Sequence, residues 1–405
     1  MSDIIQNTSD IIQNTSDIIF LLSHKKYKNS HGKYYSTPHC PLRYKKITFA
    51  LSNMKATIIT MKKNLVSLIA AAAMLPAFMA VSAQNVIVDD NGSVFVFANG
   101  IPKKDWITIE NGGLWYDTKG DTVQAHGAGF LKKGRTWYMV GEDRSGEIGV
   151  NLYSSTNLKD WKFLHKIITP NTNPQLKSGE RFIERPKILY NKKTKQYVVW
   201  LHYEGKGYAP AEAAVFKCDK IDGDYEFVKG FRPLGNMSRD CGTYVDDDGT
   251  AYFFSAANDN KDLMLYRLTD DYLDIAGLEA KLFPGQSREA PVIFKRRGKY
   301  YLLSSACTGW EPNQGCYATA DKISGPWSEL KPFGDGITYD TQPTFVLTIG
   351  KGNKTEYIYV GDRWLDPGLP ESKTILLPLE FEENGELILN YRDSWQLNLK
   401  KKNWR

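Results

Sequence analysis

The sequence predicts an all-β fold, a five-bladed β-propeller with four antiparallel strands per blade, on three observations. Turn signals recur roughly every ten residues through a chain with 23 Tyr and 10 Trp, the texture of an all-β core. A two-strand unit with a polar turn returns five times, at a period near fifty residues. No linker, low-complexity tract or long helical pattern interrupts residues 105–395. A β-sandwich also has many short strands, but it gives no reason for five-fold self-similarity.

The N-terminal part stands outside that pattern. Residues 1–60 open on a tandem SDIIQNT repeat and continue without periodicity, and read as a disordered, non-native upstream extension. Met61 then begins a basic start (Lys62, Lys63), an apolar run from Leu65 to Met79 and a small-residue end, Val81-Ser82-Ala83. That order of charge, apolar run and small residues is a secretory signal of bacterial type, cleaved after Ala83. The run is too short for a membrane span, and no Cys stands at the cleavage point to take a lipid. The expected locale is periplasmic or extracellular, with no membrane association once residues 61–83 are removed. Residues 84–104 read as a lead-in, 105–395 as the propeller and 396–405 as a C-terminal tail.

Removing the first 83 residues also removes the basic character. The formal charge of +6 includes +5 from residues 1–60 and +2 from Lys62 and Lys63, which leaves about −1. Such a balance offers no general electrostatic case for nucleic acid or an anionic membrane. Cys218, Cys241, Cys307 and Cys316 remain in a compartment that permits disulfides. The sequence leaves their three pairings, or free thiols, equally open. No Cys/His metal spacing is present, and no cofactor is required. An axial Ca²⁺ is compatible with a propeller channel, but no ligand set in the sequence demands one.

The five units run in order along the chain. QAHGAGFLKKGRTWYMVGED places His126 at a zero position, followed by an inner strand, a Lys-Lys-Gly-Arg turn and an aromatic second strand. FIERPKILYNKKTKQYVVW repeats this from Glu184, and SRDCGTYVDDDGTAYFF from Asp240 with an acidic turn. SREAPVIFKRRGKYYLL does so from Glu289, and TQPTFVLTIGKGNKTEYIYV from Gln342. The zero positions are spaced 58, 56, 49 and 53 residues apart. Three units continue into a third strand and an outer strand marked by Asp160-Trp161, Asp224-Tyr225 or Pro326-Trp327.

In a propeller the first strand of each blade lines the axis, so the five zero positions ring one end of the channel. All five are polar or ionisable, an expensive choice for mere packing. The plainer alternative is a wet channel mouth with indifferent polar residues. Carboxylates facing a pocket with nearby aromatics suggest cleavage of a glycosidic bond. That chemistry needs one carboxyl kept neutral by burial or by a like-charged neighbour, and Asp240 and Glu289 fall on adjacent blades. Trp310 and Trp364 are sugar-stacking candidates or core aromatics. Glu142, at the end of the first unit's second strand, is placed to read a sugar hydroxyl, with Gln124, His126, Asn313 and Gln314 as further contacts.

The strings QAHGAGFL, FIERPKILYN, MSRDCGTYVD, GQSREAPVI, CTGWEPNQ, YDTQPTF and VGDRW resemble family 43 glycoside hydrolases, most closely their exo-β-1,3-galactanase branch. The resemblance implies a five-bladed propeller that releases galactose from β-1,3-galactan, the backbone of arabinogalactan, with inversion. It implies Glu289 as general acid and Asp240 as the residue that tunes it and orients the substrate. Inverting pairs generally stand roughly 6.5–9.5 Å apart. Most family members carry an Asp base where this chain has His126, a departure shared with the galactanase branch. The resemblance implies that Gln342, as an imidic tautomer, positions the attacking water beside an essential Glu184. On basicity alone Glu184 is the better base, so the two stay level, with His126 third.

Two other readings remain open. One is an arabinofuranosidase or xylosidase on the same frame, and the other is a non-catalytic carbohydrate-binding propeller. The expected partner is a polysaccharide or oligosaccharide, and the expected state is a monomer.

Overall fold

Alternating apolar and aromatic runs, closed by Gly-containing turns, pair locally into antiparallel sheets throughout residues 105–405, which the computed structural model describes. Within Met1–Ile101 it describes only two short ladders, Tyr27–Lys28 with Tyr34–Tyr35 and Val86–Val88 with Val94–Val96. The expected extension 1–60, signal 61–83 and lead-in 84–104 otherwise lie outside the described residues. No helix among the described residues is long and apolar enough to cross a membrane.

Five sheets have four strands each, in simple up-and-down order. Their inner strands are His126–Lys133, Arg181–Tyr190, Cys241–Val245, Arg288–Arg296 and Gln342–Ile349. Each pairs with the aromatic second strand expected for it: Thr136–Glu142, Tyr197–Gly205, Ala251–Ala257, Lys299–Ala306 and Glu356–Arg363. The second strands are almost wholly buried, because they lie between neighbouring blades and have two apolar faces to cover. Outer strands are more exposed, and that of the fourth blade shrinks to Lys331–Pro332.

The expected count of five blades is corrected by a further sheet. Ser394–Asn398 pairs on one side with Asn403–Trp404 and on the other with Ile107–Glu110, through Trp395 opposite Ile109. The fold is therefore a six-bladed β-propeller, five blades of four strands and a sixth of three. Residues 396–405, expected as a tail, supply part of that sixth blade. Ile109, Trp395 and Leu397 pack against Trp137 and Met139 of the first blade and Leu347, Ile358 and Leu376 of the fifth. This sheet joins Ile107–Glu110 to the C-terminal strands and follows no internal repeat, so strand periodicity carried no sign of it. It wedges between the first and fifth blades, whose inner strands still meet at the axis.

At that axis two glycines allow close approach. A Cβ on Gly129 would lie 2.5 Å from the Pro186 carbonyl oxygen, and one on Gly242 would lie 2.6 Å from that of Pro291. Inner strands of adjacent blades therefore touch backbone to backbone.

Because Trp395 is buried in the seam that closes the ring, Trp395→Ala should cost about 3–5 kcal/mol. Urea unfolding measures this. A loss under about 1 kcal/mol would show that the sixth blade contributes little to closure.

Candidate active site

Why does a carboxylate begin a buried strand two residues before a proline? The register answers. Pairing slips between Glu184 and Lys187, between Glu289 and Val292, and between His126 and Gly129. Each slip is a β-bulge placed directly after a zero position. The residue that follows is left-handed in all three: Gly127 at φ 58°, Arg185 at 52° and Ala290 at 51°. Pro186 and Pro291 sit inside the bulges, where no ladder hydrogen bond asks for an N–H. A non-glycine residue in this region costs on the order of 1 kcal/mol, which the interlocked blades sustain. The kink separates the zero side chains from the packed stack below.

Four of the five converge on a cavity of about 310 Å³. Glu142, Glu184, Asp240, Glu289, Gln342, Trp310 and Trp364 all line it, and Glu289 and Asp240 thus share one pocket. Trp310 and Trp364 meet edge to face, with ring centroids 5.2 Å apart, on its wall. The other sequence-derived candidates lie just outside. His126 Nε2 and Gln124 Oε1 are 3.1 Å apart, and Gln124 Nε2 donates to the Pro370 carbonyl. Burial pushes the His126 imidazole down to about 4, so it is neutral at ordinary pH. Asn313 clamps its own loop by accepting from Ala306 N at 2.8 Å and donating back to Ala306 O at 3.0 Å. Gln314 donates to the carbonyls of Gly315 and Phe333.

Glu289 accepts from Gln342 Nε2 at 3.0 Å and from Asn260 Nδ2 at 3.1 Å. Burial, reinforced by the Asp240 charge, pushes its carboxyl up to about 8 against the pull of Arg185. It is therefore neutral at pH 7. Burial is the larger cause, ahead of the like charge expected from sequence. Asp240 is held by Arg185 Nε at 2.9 Å. Gln342 Oε1 accepts from Trp364 Nε1 at 2.9 Å and from an Arg185 guanidinium nitrogen, while its Nε2 also reaches Ser305 Oγ.

Glu184 has the opposite character. It accepts from Arg144 and from the Tyr208 hydroxyl, each at 3.0 Å, and its other oxygen lies 3.1 Å from His202 Nδ1. Burial alone would push this carboxyl up, but His202 and Arg144 outweigh it and hold it near 2. His202 is itself bracketed, its Nε2 2.9 Å from Glu204 Oε2, and Glu204 accepts from the Gly205 and Ala211 N–H groups at 3.0 Å. Burial opposes protonation of His202, yet the two carboxylates raise it to about 9. Glu142 accepts from Arg185 N at 2.7 Å and pairs with Arg144, and burial pushes it up to about 7. Glu184, His202 and Asp240 bring one ligand atom each within 4.8 Å. The positive charge these carboxylates require is already supplied by Arg144, Arg185 and His202.

Sequence reasoning passed over Arg144, Arg185, His202, Tyr208, Asn260 and Cys307, all of which line the cavity. Arg185 and His202 had a signal, since one follows a zero position and the other lies opposite Glu184 in the hairpin. Tyr208 and Asn260 come from loops beyond the second strands, which the repeat does not index. Cys218, Cys241, Cys307 and Cys316 are free thiols.

A propeller whose axial pocket holds one neutral and one ionised carboxyl beside two half-buried indoles has the constitution of a glycosidic-bond hydrolase. The family model for glycosyl hydrolases family 43 matches residues 125–333. The exo-β-1,3-galactanase from Clostridium thermocellum is similar at 42% identity over 73% of this chain and 68% of that one, with a TM-score of 0.70. A variant of the exo-β-1,3-galactanase from Phanerochaete chrysosporium, solved with β-1,3-galactotriose, is 32% identical over 73% of this chain and 70% of that one, with a TM-score of 0.69. A β-1,3-galactosidase of the same family, solved with galactodeoxynojirimycin, is 33% identical over 70% of this chain and 99% of that one, with a TM-score of 0.66. A comparison with curated proteins gives no match. The chain belongs to glycosyl hydrolases family 43 and is a glycoside hydrolase.

The His202 ion triad has a consequence for stability. Its folded pKa, about 9, lies above the unfolded value of 6.5, so its contribution is complete below pH 6.5 and is lost as pH rises through 9. Glu142 and Glu289, also raised, act with the same sign at lower pH, so a variant must separate the terms. His202→Gln should make the loss of stability between pH 6.5 and 9 shallower than in the parent, leaving the part below about pH 8 that Glu142 and Glu289 contribute. Urea titrations across that range test it, and equal slopes would refute a charged His202.

Proposed function

We propose that the chain is an exo-acting galactan 1,3-β-galactosidase that removes galactose from β-1,3-galactan with inversion, Glu289 being the general acid. The observation that carries this reading is the state of Glu289. It is a carboxyl kept neutral at pH 7, in the same small cavity as the ionised Glu184 and as Asp240. Support for the sugar comes from the relatives of 32–42% identity named exo-β-1,3-galactanases. The cavity volume suits a terminal sugar rather than a long internal stretch of chain.

The steps follow from the contacts. Glu289 gives its proton to the glycosidic oxygen as the bond breaks. Arg185 keeps Asp240 oriented toward the sugar, and Glu142 receives a hydroxyl. Water then attacks the anomeric carbon from the face away from the leaving group and gives up its proton to Glu184. Gln342 acts as an ordinary amide in this reading. Its carbonyl oxygen already takes two donors, Trp364 and Arg185, leaving an imidic hydroxyl without a place. Glu184 is the charged group for the water, oriented by Arg144, Tyr208 and His202. Export through residues 61–83 and action as a monomer belong to the same reading, and rest on sequence alone.

Glu289→Gln should lower kcat by about 10²–10⁴-fold on β-1,3-galactan. The parent's activity should fall as pH rises through about 8, because the acid must be protonated. NMR of the first product should show α-galactose. An unchanged rate in Glu289→Gln would remove the acid assignment, and β-galactose would remove inversion. Faster release of arabinose from a nitrophenyl arabinofuranoside would transfer the frame to another sugar.

A further inference from the structure

The inner strands run from the catalytic cavity to the opposite end of the axis, so the turns that follow them gather on one far face. Four of those five turns are basic: Lys132-Lys133-Gly134-Arg135, Lys192-Lys193-Thr194-Lys195, Lys295-Arg296-Arg297 and the Lys351–Lys354 stretch. The fifth is Asp246-Asp247-Asp248, of which Asp246 and Asp247 are tied to Lys295 at 2.9 Å. A cavity of about 870 Å³ opens here, lined by Lys132, Lys133, Lys192, Lys295 and Arg297. The catalytic reading uses none of it.

These cations are poorly compensated. Among the described residues, carboxylate partners are found for Lys193, at Asp270, and for Lys295. Lys132, Lys192, Arg297 and Lys351 are exposed. Partial burial, then the nearby charges of Lys402 and Lys351, push the Lys132 ammonium down. The chain beyond residue 83 has a formal charge of about −1, so this face is a local concentration of positive charge on an otherwise balanced molecule.

We propose that this far face binds an anionic polysaccharide, a carboxylate-bearing glycan such as a polyuronate, and so holds the enzyme on its substrate material with the catalytic cavity facing free. Val245 is the one large exposed hydrophobic on these turns among the described residues, which gives a membrane little to take up. The aromatics that line this cavity, Tyr190, Tyr244 and Tyr357 among them, are buried or half-buried, and among the described residues of these turns none is exposed as a stacking platform for single-stranded nucleic acid. The choice of a glycan rests on the hydrolase reading above; the sign of the partner's charge does not. A weak contact with an anionic glycan in the same material raises the local concentration of galactan chain ends at the cavity without any change in the cavity itself.

The test uses the full chain and a Lys132→Glu, Lys192→Glu, Arg297→Glu, Lys351→Glu variant, with polygalacturonate as probe in affinity electrophoresis. The parent should be retarded at low salt and released at high salt, as screening requires. The variant should bind about tenfold more weakly or worse, and the matching four-site change to Lys or Arg of the same charge should keep binding. Hydrolysis of a neutral β-1,3-galactobiose, measured beside it, should be equal in parent and variant, which also confirms folding. No retardation of the parent, or equal retardation of the variant, overturns the proposal. Tighter binding to duplex DNA or to phosphatidylserine vesicles overturns the assignment to a glycan. If the parent binds polygalacturonate but releases no galactose, the failure belongs to the proposed function and the anionic face stands.

Discussion

One buried guanidinium holds the catalytic end of this propeller together. Arg185 belongs to the second blade, yet its backbone N–H donates to Glu142 of the first. Its Nε pairs with Asp240 at the head of the third blade, and its other nitrogens reach Gln342 and the Pro343 carbonyl of the fifth. Through Gln342 it is one bond removed from Glu289 of the fourth. A buried cation of this kind is costly unless every donor is used, and here each contact is also a constraint on a functional side chain. Positive charge at this point moderates the rise in the Glu289 pKa that burial and Asp240 produce.

The same bulge that exposes the acids puts Arg185 at the centre. Had the inner strand of the second blade continued without a slip, the residue after Glu184 would have pointed to the opposite face of the sheet. The left-handed turn at Arg185 instead brings consecutive residues to the same rim, one carrying charge for the water and the other organising the ring. Opposite states of two carboxyls then follow from their surroundings. Glu289 meets two neutral amide donors and a buried wall, whereas Glu184 meets a guanidinium, a hydroxyl and an imidazolium.

Periodicity was informative where each blade repeats its neighbours. It located the five zero positions, the second strands and the turns, because the same pleat and the same axis impose the same pattern on each. It was silent where structure is made once. The sixth blade joins Ile107–Glu110 to strands nearly three hundred residues later, so nothing in either segment resembles the other units. The cavity's loop residues, Tyr208 and Asn260, belong to connections whose lengths differ between blades. His126 and Asn313 show the reverse case, in which a residue near the site in sequence is turned to support it.

By itself, then, the sequence determined the all-β class, the blade period, the polar ring at one end of the axis and the basic turns at the other. Those depend on alternation and turn chemistry, which are local. Tertiary structure decided the number of blades, the partners of Arg185 and His202, and the protonation of Glu289. These depend on burial and on charges brought from distant parts of the chain, and neither is a property of any short stretch of residues.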